Sequence, residues 1–172
     1  MMQIRPELSA DHERVFAIHE TAFERSNEAT LVSLLRSCTS PQLSLVAEVD
    51  GRVVGHVFFS PVFIDSSTGA PPAAGLAPLA VDPEFQGCGV GSALVRAGLR
   101  RCPELGWQAA FLVGDPAYYS RFGFVLAATL GLHYRNEAFD PVFQVVEFMT
   151  GALRACQGRV RFHDAFARSG TE

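Results

Sequence analysis

The sequence predicts an α/β fold in one domain, a mixed β-sheet flanked by helices, and three observations predict it. The chain has 172 residues, the usual length of one domain and long enough to bury roughly 70% of its surface. Two β-rich runs, Leu43 to Val49 and Val53 to Val62, flank Asp50-Gly51, a strong hairpin signal because glycine accepts positive φ without steric cost. From Gly75 onward a buried-strand composition leads into a helix and then another strand, a crossover that brings some parallel pairing. The single domain is expected to span 1–172, with a core of about 2–166.

In chain order, Met2 to Arg5 reads as a short strand. Ser9 or Asp11 caps a helix to about Phe23, with Val15, Phe16, Ile18, His19 and Phe23 near helical spacing. Glu28 to Arg36 repeats that pattern with Ala29, Leu31, Val32, Leu34 and Leu35. After the hairpin, Asp65 to Pro72 is a Ser/Thr/Gly/Pro loop. Gly75 to Val81 is a strand interrupted by Pro78, which lacks an N–H and belongs at a bulge or an unpaired edge. Asp82 to Gly89 is a loop and Val90 to Arg101 a helix. Ala109 to Val113 is a strand, followed by a short helix around Pro116 to Arg121 that Phe122-Gly123-Phe124 ends. Leu132 to Arg135, Phe143 to Phe148 and Arg159 to His163 are further short strands.

Composition excludes several function classes. Hydrophobic residues are 48% and charged residues 19%, the reverse of a disordered chain. The net charge of −4 disfavours a nucleic-acid partner. All fourteen Lys and Arg residues are arginine, so chemistry that needs a lysine amine is excluded. Cys38, Cys88, Cys102 and Cys156 form no CxxC pair and no zinc spacing, so no metal is expected. Reduced thiols in a cytoplasm are the simpler reading. Met1 to Leu8 carries Gln3, Arg5 and Glu7 and does not read as a signal peptide. The apolar stretch Ala73 to Val81 is far short of a membrane span, so no membrane partner is expected.

The sharpest feature is Gln86-Gly87-Cys88-Gly89-Val90-Gly91-Ser92, three alternating glycines entering a helix. Glycines at such a turn let consecutive N–H groups converge on one point, and the helix N-terminus adds about half a positive charge. A phosphate or diphosphate fits there. The loop matches neither GxGxxG nor a P-loop, and a glycine-rich turn without ligand is the plain alternative.

These residues resemble the Q/R-x-x-G-x-G/A motif of the GNAT superfamily of N-acetyltransferases, and Leu79 to Gln86 resembles that family's strand entering the loop. Ala117 to Phe124, with a Tyr shortly before Gly-Phe, resembles the second family signature. Gly114-Asp115-Pro116, and Glu28-Ala29 followed by Leu31-Val32, resemble the YhbS-like subgroup of predicted acetyltransferases. The resemblance covers Ile4 to about Phe166. It implies the GNAT acyl-CoA N-acyltransferase fold, with the sheet splayed between its fourth and fifth strands. It implies acetyl-CoA as acyl donor, with the diphosphate on Gly87, Cys88, Gly89, Val90, Gly91 and Ser92 after Gln86. The pantetheine arm would run beside the main chain of Leu79, Ala80 and Val81, and the Leu79 N–H, not Pro78, would polarise the thioester carbonyl. Arg121 resembles the basic residue placed near CoA phosphates; its alternative is a solvated helix face.

Direct acetyl transfer to an amine needs proton removal from nitrogen, donors for the developing oxyanion, each worth on the order of 3–4 kcal/mol, and a proton for the departing thiolate. The resemblance gives the last role to Tyr119, since a phenol of pKa ~10 stays protonated at neutral pH. Tyr118 is the packing aromatic beside it. The base stays open: the fourth strand carries no titratable residue, and Glu28, His56, Asp115 or a water relay remain, each with a structural alternative. Phe139, Phe143 and Phe148 fall in the third of the chain that usually shapes the acceptor pocket in this family. The acceptor is an amine of a small molecule, peptide or protein, and self-association through the C-terminal strands is common among relatives. The alternative reading is an acyl-CoA-binding sensor or partner module with little catalysis, and a third is an O-acyl or longer-chain acyltransferase.

Overall fold

The computed structural model describes residues 1–172. Two compact units are each built from discontinuous segments: Met1–Ser60, Ala77–Arg100 and Asp164–Glu172 in the first, Pro61–Leu76 and Arg101–His163 in the second.

The first unit opens with strand β1 (Met2–Pro6), helix α1 (His12–Phe23) and helix α2 (Asn27–Cys38). Strands β2 (Leu43–Val49) and β3 (Arg52–Asp65) follow as a hairpin. Its turn is Asp50-Gly51, both at positive φ (48° and 81°), the backbone that matches strand twist. β1 pairs antiparallel with β2 from Met2↔Val49, and β2 with β3 from Val49↔Arg52, with a register shift at Ala47/Glu48. Val15, Ile18, Leu31 and Leu35 of the two helices are almost fully buried, each worth ~1.5–3 kcal/mol of apolar burial. The predicted capping of α1 differs: Asp11 occupies the N-cap but makes no side-chain cap bond. Its carboxylate instead accepts from the Leu8 N–H (2.8 Å) and from the Arg5 guanidinium. The unit also holds the end of β4 (Ala73–Val81), helix α3 (Val90–Arg101) as far as Arg100, and the short C-terminal helix, which the sequence reading did not mark. α3 packs on β3 because glycines make room: a Cβ at Gly98 would lie 2.2 Å from the Phe59 ring, and one at Gly55 2.9 Å from Val90.

The second unit holds the end of β3 and the start of β4, then β5 (Ala109–Val113), α4 (Pro116–Tyr119), β6 (Val125–Leu126), β7 (Leu132–Tyr134), β8 (Phe143–Glu147) and β9 (Gly158–Arg161). β4 and β5 pair in parallel over Ala73↔Ala109, Ala74↔Ala110 and Gly75↔Phe111. The ladder stops there, so Pro78 lies beyond the last residue of β4 that pairs with β5. β5 and β8 are antiparallel over their full five residues, and β6 extends β8. β7 and β9 pair in parallel, and β9 pairs antiparallel with the end of β3. Phe111 and Phe143 stack at 5.5 Å, and Tyr134 stacks on Phe143 at 5.4 Å, forming the aromatic core. Trp107 is buried at the entry to β5, a packing residue. Strand order through the pairing is β1-β2-β3-β4-β5-β8-β6, the mixed sheet expected.

Candidate functional site

The glycine loop is anchored from below by Asp82. Its carboxylate caps the turn by accepting the Glu84 N–H (3.1 Å) and also pairs with Arg14 and Arg52. Its own N–H donates to the Val54 carbonyl (2.8 Å). Burial alone would raise its carboxyl, but the Arg14 bond, the Glu84 amide and the two cations outweigh that and hold it below the usual carboxylate range. Arg14 is itself fixed by donating to the Val53 carbonyl (2.9 Å), and Gln86 Nε2 donates to the Val81 carbonyl (3.1 Å). Thus Gln86 serves to tie the loop to its strand.

Above this foot the backbone turns outward. Gly87 and Gly89 sit at φ 74° and 84°, where a Cβ is disfavoured. A Cβ at either would meet nothing within 4 Å, so the loop has open space on its outer side. The N–H groups of Gly87, Cys88 and Gly89 donate to no backbone carbonyl, and those of Val90 and Gly91 are orphaned by helix geometry. The first turn of α3 carries no acidic side chain to compete for them. Ser92, half-buried, ends this run. Open amides, positive-φ glycines and a twelve-residue helix behind them fit a diphosphate. Cys88 is exposed and its thiol leans toward the Gln86 carbonyl (3.5 Å). Along β4, Leu79 and Val81 are half-buried and Ala80 is buried, and none of the three pairs with β5.

In the second unit, Asp115 caps α4 by accepting the Ala117 N–H (2.9 Å), with Pro116 at the first helical position. This fixes Tyr119 one turn later, its N–H donating to the Asp115 carbonyl (3.1 Å). The Tyr119 ring lies against Gly114 and meets Tyr118 edge-on at 4.9 Å and Phe124 at 5.8 Å. Burial, with the neighbouring Tyr118 phenol adding to it, pushes the Tyr119 hydroxyl up to about 12. It is a protonated donor throughout the neutral range. Arg121 is exposed and lies 4.7 Å over the Tyr118 ring.

The three candidate bases are all engaged elsewhere. Glu28 is 3% exposed and ion-paired with Arg25. His56 is fully buried, its Nδ1 2.8 Å from His19 Nε2 and its Nε2 2.8 Å from Ser44 Oγ. Desolvation first, then the Arg36 charge, pushes its pKa down to about 3. Asp115 is the helix cap. Phe143 is core, while Phe139 and Phe148 are half-buried. One pair outside the sequence candidates is His133 and Asp140, whose Nδ1 and Oδ1 are 2.9 Å apart. Their seven-residue spacing belongs to no motif, so the sequence carried no signal for them. The chain holds no cluster of His, Cys, Asp or Glu able to bind a metal, and no helix long and apolar enough to cross a membrane.

Comparison with known proteins places this geometry in a family. The acetyltransferase (GNAT) domain family matches residues 3–127. The uncharacterized N-acetyltransferase YhbS of Escherichia coli K12 is 40% identical over 168 residues, covering 97% of this chain and 99% of that protein. The uncharacterized N-acetyltransferase YjhQ of the same strain is 39% identical over 117 residues, 67% of this chain and 65% of that one. The crystal structure of Escherichia coli YhbS in complex with CoA superposes with a TM-score of 0.88 over 97% of this chain and 92% of its own, at 40% identity. A GNAT family acetyltransferase from Brucella melitensis in complex with acetyl-CoA gives 0.78 at 35% identity, over 96% of this chain and 98% of its own. The open-amide loop and the Tyr-before-Gly-Phe turn thus sit in a chain that belongs to the GNAT acetyltransferase family.

Proposed function

We propose that this enzyme transfers an acetyl group directly from acetyl-CoA to the nitrogen of an amine, in a ternary complex. The observation that carries the reading is the run of unbonded amides at Gly87, Cys88 and Gly89, on a loop with open space outside it and α3 behind it. Relatives with CoA or acetyl-CoA bound support the donor. Residues 87–92 would hold the diphosphate, and Leu79, Ala80 and Val81 would offer main-chain groups to the pantetheine arm. When bound, the donor supplies an activated thioester. Tyr119 would give its phenol proton to the departing sulfur; its hydroxyl stays protonated across the neutral range, so the proton is present to be given. Arg121 would meet a CoA phosphate by leaving or sharing its position over Tyr118. The four cysteines, none of them in a disulfide, suit a reducing cytoplasm. The reading is tested by CoA release from acetyl-CoA across a set of small amines and peptides. Release that depends on an amine and saturates with acetyl-CoA supports it, and binding without release across the whole set contradicts it.

A further inference from the structure

Proton removal from the amine has no owner among Glu28, His56 and Asp115, all tied into structure. One imidazole in the second unit is differently placed. His133, on β7, points Nδ1 at both oxygens of the Asp140 carboxylate, 2.9 and 3.1 Å away. A carboxylate oxygen accepts, so in the neutral ring this contact puts the proton on Nδ1 and leaves the Nε2 lone pair to accept. The His133 side chain is 45% exposed and Asp140 25%, so the ring is held at Nδ1 and remains partly open to solvent. The other charged groups around it are Arg159, its register partner on β9, and Arg135 and Glu137 nearby along the chain; the 127–130 turn packed on β7 carries no charge. Arg135 is turned over the Phe139 ring.

Backbone bonds place this pair at the same end of β5 as Tyr119. The Gly114 N–H, just past β5, donates to the Val142 carbonyl (3.0 Å), and the Val142 N–H donates to the Phe139 carbonyl (2.9 Å), closing the turn that presents Asp140. Gln144 Nε2 fastens the same junction by donating to the Gly114 carbonyl (2.9 Å). Gly114 is also the residue on which the Tyr119 ring rests. Open α/β sheets bind ligands outside the carboxyl ends of their strands, and this is such an end.

We propose that His133, oriented by Asp140, is the general base of acetyl transfer. This rests on the acetyltransferase reading above. Nε2 takes the proton that the amine nitrogen loses as its bond to the acetyl carbon forms. Tyr119 supplies a proton to the sulfur as the carbon–sulfur bond breaks. The imidazolium then returns its proton to solvent through its exposed edge, and Tyr119 regains one. Asp140 is a positioning residue.

The test uses the full chain with spermidine, tyramine, glucosamine and an alanine-initiated tripeptide as acceptors, reading CoA thiol release against pH, with calorimetry for acetyl-CoA binding. Expected for His133→Gln is acetyl-CoA affinity unchanged and kcat down on the order of 10²-fold or more, with loss of the acidic limb of the pH profile. Asp140→Asn should shift that limb, and Asp140→Glu should restore it toward wild type. Nitrogen NMR of the wild-type ring should show the proton on Nδ1. His133→Gln at wild-type rate, a proton on Nε2, or acetyl-CoA binding without CoA release to any of the four amines overturns the proposal. Absence of acetyl-CoA binding to the wild type overturns the proposed function itself, on a separate readout.

Discussion

Gly114 lies directly against the Tyr119 ring: a Cβ at position 114 would fall 2.5 Å from Cε2. No real Cβ contact is that close, so Gly114→Ala must push the ring aside. The phenol would leave the position its helix cap gives it. We expect kcat to fall at least tenfold while acetyl-CoA affinity, measured by calorimetry, holds. Such overpacking also costs about 1–3 kcal/mol of stability, which a denaturation curve would show.

Tyr119→Phe removes the hydroxyl but keeps the ring and its packing. General acids contribute on the order of 10²–10⁴-fold, and kcat should fall within that range. With the phenol pushed up to about 12, its protonation does not change between pH 6 and 9. The ratio of wild-type to variant kcat should therefore stay flat across that span. A ratio that collapses at one end would remove the acid role.

The buried pair His19 and His56 makes stability depend on pH. Desolvation lowers both imidazoles in the folded state, His56 to about 3 and His19 well below its ordinary value. The unfolded chain takes up protons near pH 6.5, and the folded chain does not. Stability is thus fully present above pH 6.5 and is lost as pH falls toward 3. For His56 alone the loss between pH 7 and pH 5 is about 2 kcal/mol. Urea melts at the two values should show at least that difference, and His56→Gln should reduce it.

Gly98→Ala sets helix propensity against packing. Alanine favours the helix by ~1 kcal/mol, but its methyl would lie 2.2 Å from the buried Phe59 ring. The clash should win, and Tm should fall. A raised Tm would mean that the α3–β3 contact yields more readily than its geometry indicates.

Much of this was legible in the letters because local signals agreed. Asp50-Gly51 fixed a turn, apolar spacing marked α1, α2 and α3, and Asp115-Pro116 announced a capped helix with Tyr119 one turn on. The glycine loop was readable as a turn into a helix for the same reason: Gly87 and Gly89 take the positive φ that the turn requires. What stayed hidden depends on distant contacts. β6 has two residues and exists only because β8 offers it an edge. Nothing around His56 says that its ring is sealed between His19 and Ser44, which removes it from the candidate bases. His133 and Asp140 meet only because a turn at Asn136–Asp140 folds back on β7, and that turn has no strong sequence signature.

If the amides of residues 87–92 grip a diphosphate, calorimetry with two ligands separates its contribution from that of the thioester arm. Acetyl-CoA should bind saturably to the wild type, whereas S-acetylpantetheine, which shares the thioester arm but has no diphosphate, should bind far more weakly. Gly89→Val, which puts a branched side chain at positive φ, should erase that difference. Equal affinity for the two ligands, or a Gly89→Val variant that binds acetyl-CoA as the wild type does, would contradict the claim.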